Sequence, residues 1–354
     1  MKILITGGAG FVGSSIAFAF KHENPSHTVV ALDNLKRRGA ETNLQLFRQR
    51  GIEFVHGDVR SPSDLDDLSG EFDLLIEASA EPSVLAGIGG SPHYVLQTNL
   101  VGTLHCLEFA RRRVEKLIFL STSRVYSIGP LKQIKLDEAK SRFQVSGEQT
   151  IPGVSSEGIS EAFPTNSQRS LYGGTKLASE IMIQEYVSAY GLQAVINRCG
   201  VLAGPGQFGK VDQGVFTLWV ANHYFKRALQ YTGFGGGGKQ VRDLLHPLDL
   251  FSLIKQQLPA MSQYPGEVFN VGGGTNISTS LLELTAICQE VTGNRVEVMP
   301  VSESTSVDIP YYISDYRKVS AAFKWRPERS IADIVRDIAN WINANEAHVK
   351  FLFS

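Results

Sequence analysis

The run KILITGGAGFVGSSIAFAFKH (residues 2–22) decides the fold. KILIT (2–6) is apolar enough for a strand buried on both faces. GFVGSSIAFAFKH then takes up a helical period. Between them, TGGAGFVG sets Gly7, Gly10 and Gly13 in the spacing G-x-x-G-x-x-G. Gly7 allows a tight turn, Gly10 lets a pyrophosphate approach the backbone, and Gly13 allows the helix to pack close on the strand. The helix N-terminus offers free N–H groups and the positive end of its dipole. Such a trio alone also describes a plain tight turn. The second strand, TVVALD (28–33), adds the deciding carboxylate, because Asp33 falls 20 residues after Gly13. A carboxylate there accepts the ribose hydroxyls of an adenosine and repels a 2′-phosphate, so the motif reads as a site for NAD rather than NADP. The basic KRR (36–38) beside it reads as a solvated loop.

Outward from this unit the pattern repeats. Short β-branched runs at 53–58, 73–79, 116–122 and 193–198 alternate with helical stretches, the clearest at 92–113 and 172–190. This order predicts an α/β fold, a doubly wound parallel sheet of the Rossmann type. From about residue 200 the chain becomes glycine-rich and mixed, with GPGQFG and GFGGGGKQVRD as loops, a strand and turn at 267–274, and two amphipathic helices. We therefore expect a dinucleotide-binding domain over 1–200 and a smaller α/β substrate-binding part over 201–354, the chain crossing between them. The stretch 127–171 is the longest irregular span, which reads as a functional lid or as a surface insertion.

The chain of 354 residues is 43% hydrophobic and carries a net charge of −1, so no global field draws it to nucleic acid or an acidic membrane. Cys106, Cys199 and Cys288 are far apart, show no metal-ligand spacing, and read as reduced thiols. With no signal-peptide pattern and no membrane-length apolar run, the expectation is a soluble cytoplasmic protein without a metal.

The chemistry lies further along. FLSTSRVY ends the strand that should run beside the cofactor, and SLYGGTKLASE opens the next long helix. Tyr172 and Lys176 are four apart and so share a helix face. Thr122, with Ser121 and Ser123 beside it, stands at a strand's carboxyl end, where ligands of such sheets bind. A hydroxyl, a phenol and an ammonium can converge there on one substrate alcohol. Removing hydride from an alcohol carbon requires removing the hydroxyl proton too. Tyrosine is a poor base at its ordinary pKa of about 10, and bringing it near 7 takes roughly 4 kcal/mol of stabilisation. Lys176 and a cationic nicotinamide ring are expected to supply it.

Taken together, TGGAGFVGS, HGDVR, TNLVGTLHCLE, STSRVY, YGGTKLASE, VRDLLHPLDL, FNVGGG and ISDYRKVSAAFKWRP resemble the extended short-chain dehydrogenases/reductases of the nucleotide-sugar epimerase/dehydratase type, over nearly the whole chain. The resemblance implies a catalytic triad of Thr122, Tyr172 and Lys176 and a bound NAD. Its cofactor site draws on Gly7, Gly10, Phe11, Val12, Gly13, Asp33, Asn34, Asp58, Val59, Ala78 and Asn99, besides Tyr172 and Lys176. Asp58 would hydrogen-bond the adenine, or else cap a loop. The substrate, a nucleotide diphosphate sugar, would meet Ser123, Arg124, Gln207, Phe208, Gln213, Arg242 and Asp308, with Asp212 a weaker candidate. Arg242 is the residue implied to grip the diphosphate, unless it pairs with Asp243. His246 is read as loop architecture. GQFGKVDQG (206–214) and GKQVRDLLH (238–246) are most similar to the members that epimerise CDP-sugars at C2. The resemblance also implies a homodimer formed through the helices at 92–113 and 172–190.

Several positions depart from the family pattern. Thr305 stands where many relatives carry a second diphosphate arginine, so another cation must compensate. Glu77 replaces a usual histidine, Pro82 a usual lysine or glutamine, and Ser127 a usual glycine. Relatives that eliminate water carry Asp-Glu after the threonine, whereas Ser123 and Arg124 follow Thr122 here. Dehydration is therefore disfavoured. The expected reaction is epimerisation by transient oxidation, with a UDP-sugar 4-epimerase or a nucleotide-sugar dehydrogenase as alternatives, and a non-catalytic NAD-binding protein as the remaining one.

Overall fold

The structure is a computed structural model and describes residues 1–209 and 213–353. Seven parallel strands form the central sheet: β1 (Lys2–Thr6), β2 (Thr28–Asp33), β3 (Glu53–His56), β4 (Phe72–Glu77), β5 (Val114–Thr122), β6 (Gln193–Cys199) and β7 (Glu267–Val271). Their order is β7-β6-β5-β4-β1-β2-β3, which reverses direction between β1 and β4. That reversal opens a crevice at the carboxyl ends of the central strands, where a ligand can sit. Alternate residues feed opposite faces: Ile3, Ile5, Leu74 and Ile76 join one core cluster, while Leu4, Leu75, Leu117 and Phe119 join another. Both faces are covered, as a parallel sheet requires.

Helices α1 (Phe11–Glu23), α2 (Gly102–Arg113) and α3 (Leu171–Tyr190) flank this sheet. The predicted helix over 92–113 is interrupted, because residues Gln97–Val101 form a π-helical turn ahead of α2. The edge strand β7 comes from the C-terminal half of the chain. So does the helix Pro247–Gln257, which packs on α1 through Leu250, Phe251, Leu253 and Ile254. The remaining C-terminal residues build a small sheet from Val201–Leu202, Val241–Leu245, Ser278–Ser280 and Tyr311–Tyr312, backed by helices Val215–Tyr224, Leu281–Thr292 and Ile331–Val349.

The irregular span 127–171 is neither a bare surface loop nor a free lid. It has a core of its own around Tyr126, Leu131, Ile159 and Phe163, which packs against Ile309 and Tyr312. Ile159 N–H donates to the Ile313 carbonyl at 2.7 Å, and Asp315 N–H donates back to Ile159 at 2.9 Å. The hydroxyl of Ser127 accepts from Ser167 N–H at 3.0 Å and ties down the returning chain. No helix among the described residues is long and apolar enough to cross a membrane.

Candidate active site

The glycine loop joins β1 to α1. Gly7 has a φ of +64°, and a Cβ on Gly13 would lie 2.2 Å from the Gly7 carbonyl oxygen, so neither position accepts a side chain without rebuilding the turn. The first-turn N–H groups of α1 lack intrahelical partners and face outward as anion donors. Asp33, at the end of β2, is fixed beside this loop: its carboxylate accepts from Ala9 N–H at 3.1 Å and Leu35 N–H at 2.8 Å. Burial raises its pKa against those hydrogen bonds. Phe11, Val12 and Ala78 line the adjoining cavity of about 820 Å3. A rigid glycine cradle, a helix N-terminus and an anchored carboxylate fit a dinucleotide.

Two cofactor candidates are differently employed. Asp58 works against burial to stay ionised near pKa 2, held by Arg60 and by the Asn34 amide at 2.9 Å. Its carboxylate is thus engaged by Arg60 and Asn34. Val59 is buried in a core cluster with Leu65 and Leu107, and a Cβ on Gly102 would lie 2.7 Å from its methyl.

Ser170 caps α3 by accepting from Gly173 N–H at 3.2 Å, which starts the helix just before Tyr172. Tyr172, Lys176 and Glu180 then recur every fourth residue on the inward face. Thr122, at the last position of β5, is close enough to the Tyr172 phenol to favour its ionised form, and both line the cavity. Lys176 is 1% exposed, with its ammonium 3.8 Å from the centroid of the Phe119 ring and no hydrogen-bond partner among the described residues. Burial lowers its pKa to about 8, while Glu77 and Glu180 pull upward. An orphaned ammonium in this place fits a lysine that waits for the hydroxyls of a bound nucleotide.

One expectation needs correcting here. The phenol of Tyr172 was expected to be depressed, yet in the protein alone burial raises it, and the nearby Thr122 only opposes that rise. Lys176 does not offset the desolvation. Further positive charge would come with the oxidised ring of the bound cofactor.

Glu77, the unusual residue at the end of β4, lies in the same buried layer. It accepts from the Thr103 hydroxyl at 2.5 Å, and its other oxygen has no partner among the described residues. Burial raises its pKa while Lys176 draws it down. Asn99 sits inside the π-helical turn, and such turns cluster at functional positions. Its side chain accepts from Glu81 N–H at 2.7 Å and donates to the Glu81 carbonyl at 3.1 Å and to Thr175 at 3.3 Å. It thereby pins the loop after β4 to α3. Pro82 of that loop lines the cavity.

The same cavity receives most of the substrate candidates: Ser123, Arg124, Gln207, Gln213, Arg242 and Asp308. Arg242 donates to the carbonyls of Val241 at 2.7 Å and Ile309 at 2.6 Å rather than to Asp243. Asp243 instead accepts from Gly274 N–H at 3.2 Å, and burial raises it to about 6. Gln207 braces its own loop, accepting from the Thr217 hydroxyl and donating to Leu202 at 3.1 Å. Asp308 accepts from Thr305 N–H at 2.6 Å and so closes a turn. Phe208 is a correction. Its ring packs 5.6 Å from Trp341 and 5.6 Å from Phe353, in the C-terminal core and away from the cavity, because the loop turns it under Gly39. Asp212 lies outside the described residues. His246 caps the helix after it, accepting from Leu248 N–H at 3.1 Å.

Sequence reasoning missed the support behind the triad. Glu180 and Arg198 form a buried ion pair at 2.7 Å, joined by the Ser121 hydroxyl. Arg198 donates to the Tyr126 oxygen at 3.2 Å, and Tyr126 donates to Asn270 at 2.7 Å. Asn270 in turn donates its side-chain N–H to the Ile159 carbonyl at 2.8 Å and its backbone N–H to the Glu161 carboxylate at 2.6 Å. This chain runs from α3 to the insertion. The four-residue spacing from Lys176 to Glu180 was the available signal.

A doubly wound sheet with a glycine cradle and a threonine–tyrosine–lysine cluster at its carboxyl edge defines a nucleotide-dependent enzyme of the dehydrogenase type. The NAD dependent epimerase/dehydratase family matches residues 3–272, and the chain belongs to it. CDP-paratose 2-epimerase of Salmonella typhi is 32% identical over 97% of this chain and 100% of its own length. Among solved structures, the dTDP-glucose 4,6-dehydratase DesIV of Streptomyces venezuelae, solved with NAD bound, superposes with a TM-score of 0.79 at 26% identity, covering 99% of this chain and 100% of that one. Pal from Bacillus thuringiensis gives a TM-score of 0.79 at 26% identity, with 97% and 99% covered.

Proposed function

We propose that this enzyme inverts a carbon of a nucleotide diphosphate sugar by transient oxidation, and that its substrate is a CDP-sugar epimerised at C2, of the CDP-paratose type. The observation that carries this is the meeting of Thr122, Tyr172 and the buried, unpartnered Lys176 beside the glycine cradle. The likeness to a CDP-paratose 2-epimerase along its whole length supports the choice of nucleotide and carbon.

Gly7, Gly10, Gly13 and Asp33 would hold the dinucleotide, and Lys176 its ribose hydroxyls. Bound NAD+ supplies the hydride acceptor and later the donor. Thr122 holds the substrate oxygen by a hydrogen bond, and Tyr172 takes the hydroxyl proton. The resulting flat keto sugar turns within the cavity. Tyr172 then returns the proton to the same oxygen as hydrogen re-adds to the opposite face. Arg124 in place of the dehydratases' acidic residue leaves no proton donor there for eliminating water. We further propose a cytoplasmic homodimer formed through α2 and α3, on which Ile181 and Tyr190 are exposed apolar side chains.

The test incubates purified protein with CDP-, UDP-, dTDP- and GDP-sugars without added NAD. The expected result is C2-epimer from the CDP-sugar with no accumulation of NADH. Net NADH formation, or loss of water from the sugar, would overturn the reading.

A further inference from the structure

The family's second diphosphate arginine is missing at Thr305, and the structure offers a replacement from an unexpected element. Arg124 leaves β5 two residues after Thr122, and its N–H donates to the Thr122 hydroxyl oxygen at 3.2 Å. Its guanidinium crosses the cavity to the Val307 carbonyl at 3.3 Å. Arg242 approaches from the small sheet and reaches the Ile309 carbonyl at 2.6 Å. The two guanidiniums are thus anchored on carbonyls two residues apart in one loop. Both line the cavity that contains Tyr172. Among the described residues, no carboxylate lies within ion-pair distance of either, since Asp308 is turned to Thr305 N–H. Both are desolvated; burial and Arg124 together lower Arg242 to about 9, while Asp308 favours the charged form of each. Two half-buried guanidiniums that share one nearby carboxylate, Asp308, make a site with excess positive charge that an anion relieves.

Arg124 is also held in register with the base. A Cβ on Gly173 would lie 2.0 Å from the Arg124 carbonyl oxygen, so the first turn of α3 rests directly on the Arg124 backbone. The Arg124 charge acts on both the Tyr172 phenol and Arg242, and all three line one cavity. Position matters for the sugar. C2 adjoins the anomeric carbon that carries the phosphate, whereas C4 lies across the ring. A phosphate held next to the base brings C2 to Tyr172. Negative charge developing on the C2 oxygen is repelled by that phosphate, and a guanidinium between the two offsets the repulsion.

We propose that Arg124 and Arg242 together clamp the substrate's β-phosphate, Arg124 taking the place of the cation absent at Thr305 and setting the reaction on C2 rather than C4. The choice of carbon rests on the reading under Proposed function; the clamp does not.

The test measures binding of CDP, UDP, GDP and dTDP, and of the matching monophosphates, to the NAD-loaded protein by calorimetry. For the base that binds most tightly, wild type should prefer the diphosphate. Arg124→Gln should lose about tenfold or more of that preference, with monophosphate affinity nearly unchanged. Arg124→Lys, which keeps the charge and the packing length if the glutamine variant fails to fold, should lose about threefold. The double variant R124Q/T305R, which moves the cation to the usual family position, should regain diphosphate preference without regaining C2 epimerisation. Undiminished preference in both Arg124 variants would overturn the clamp, and wild-type C2 turnover in the double variant would overturn the assignment of carbon. A diphosphate preference lost on substitution, in a protein that turns over no CDP-sugar, would sustain the clamp and reject the proposed reaction.

Discussion

The ammonium of Lys176 stands over the face of Phe119, 3.8 Å from the ring centroid, and the charges that most favour its protonated form come from buried carboxylates, Glu77 ahead of Glu180. Phe119 belongs to β5 and Glu77 to β4, so the lysine's charge state depends on two strands of the sheet beneath it. The Glu77 carboxylate counters the desolvation that would discharge the lysine.

Replacing Glu77 by Gln should therefore move the alkaline limb of kcat/KM to lower pH. The sign follows from the partners: Glu77 raises the Lys176 pKa from the desolvated side, and removing it lets that pKa fall below about 8. The check is a pH–rate profile with NAD content measured in parallel. An alkaline limb that stays in place would show that Glu77 does not tune the lysine.

Tyr172→Phe should reduce turnover by at least about 100-fold, the scale of a lost general base, while leaving bound NAD at the wild-type stoichiometry. Cofactor content and epimer formation, measured on one preparation, separate the two effects. Comparable turnover in the variant would remove Tyr172 from its assigned role.

Asn99→Ala should act at a distance. It frees the Glu81 backbone from two hydrogen bonds and leaves its N–H without the 2.7 Å partner. Unpaired groups of this kind cost about 1–3 kcal/mol. The loop after β4 should loosen, with faster amide exchange at Glu81 and weaker NAD retention, while the thermal midpoint drops by a few degrees. Unchanged exchange would contradict the pinning role.

His246 should limit stability in acid. Burial, with the nearby Arg329, holds its pKa at about 4 in the fold, below the ordinary 6.5. In that window the unfolded chain binds a proton that the fold does not, so stability is lost as pH falls from about 6.5 towards 4, by up to about 3 kcal/mol. His246→Asn keeps a cap acceptor for Leu248 N–H and should flatten the dependence. Urea titrations at several pH values provide the measurement.

The elements that carry a local signature were readable in the chain: the glycine loop, the apolar strands, and the helix bearing Tyr172 and Lys176. What escaped depended on long-range placement. The edge strand Glu267–Val271 looks like part of the C-terminal half, yet it pairs with β6, because only its partner says which sheet it joins. Phe208 reads as a pocket residue from its loop, but the ring turns into the core against Trp341, more than a hundred residues away. The phenol's pKa could not be inferred from charge alone, since burial outweighs a lysine four residues along the helix. The insertion's docking onto Ile313 and Asp315 likewise depends on backbone pairings that no local pattern announces.

The most direct test of the central claim follows a hydrogen label. A CDP-sugar deuterated at C2 is incubated with the purified enzyme in ordinary water, and the product is read by NMR and mass spectrometry. Internal oxidation and hydride return predict that the inverted carbon keeps its deuterium. Loss of the label to solvent, or solvent deuterium appearing at C2 in the converse experiment in D2O, would mean that the proton-bearing carbon is inverted by another route, and the account built on Tyr172 and bound NAD would be wrong.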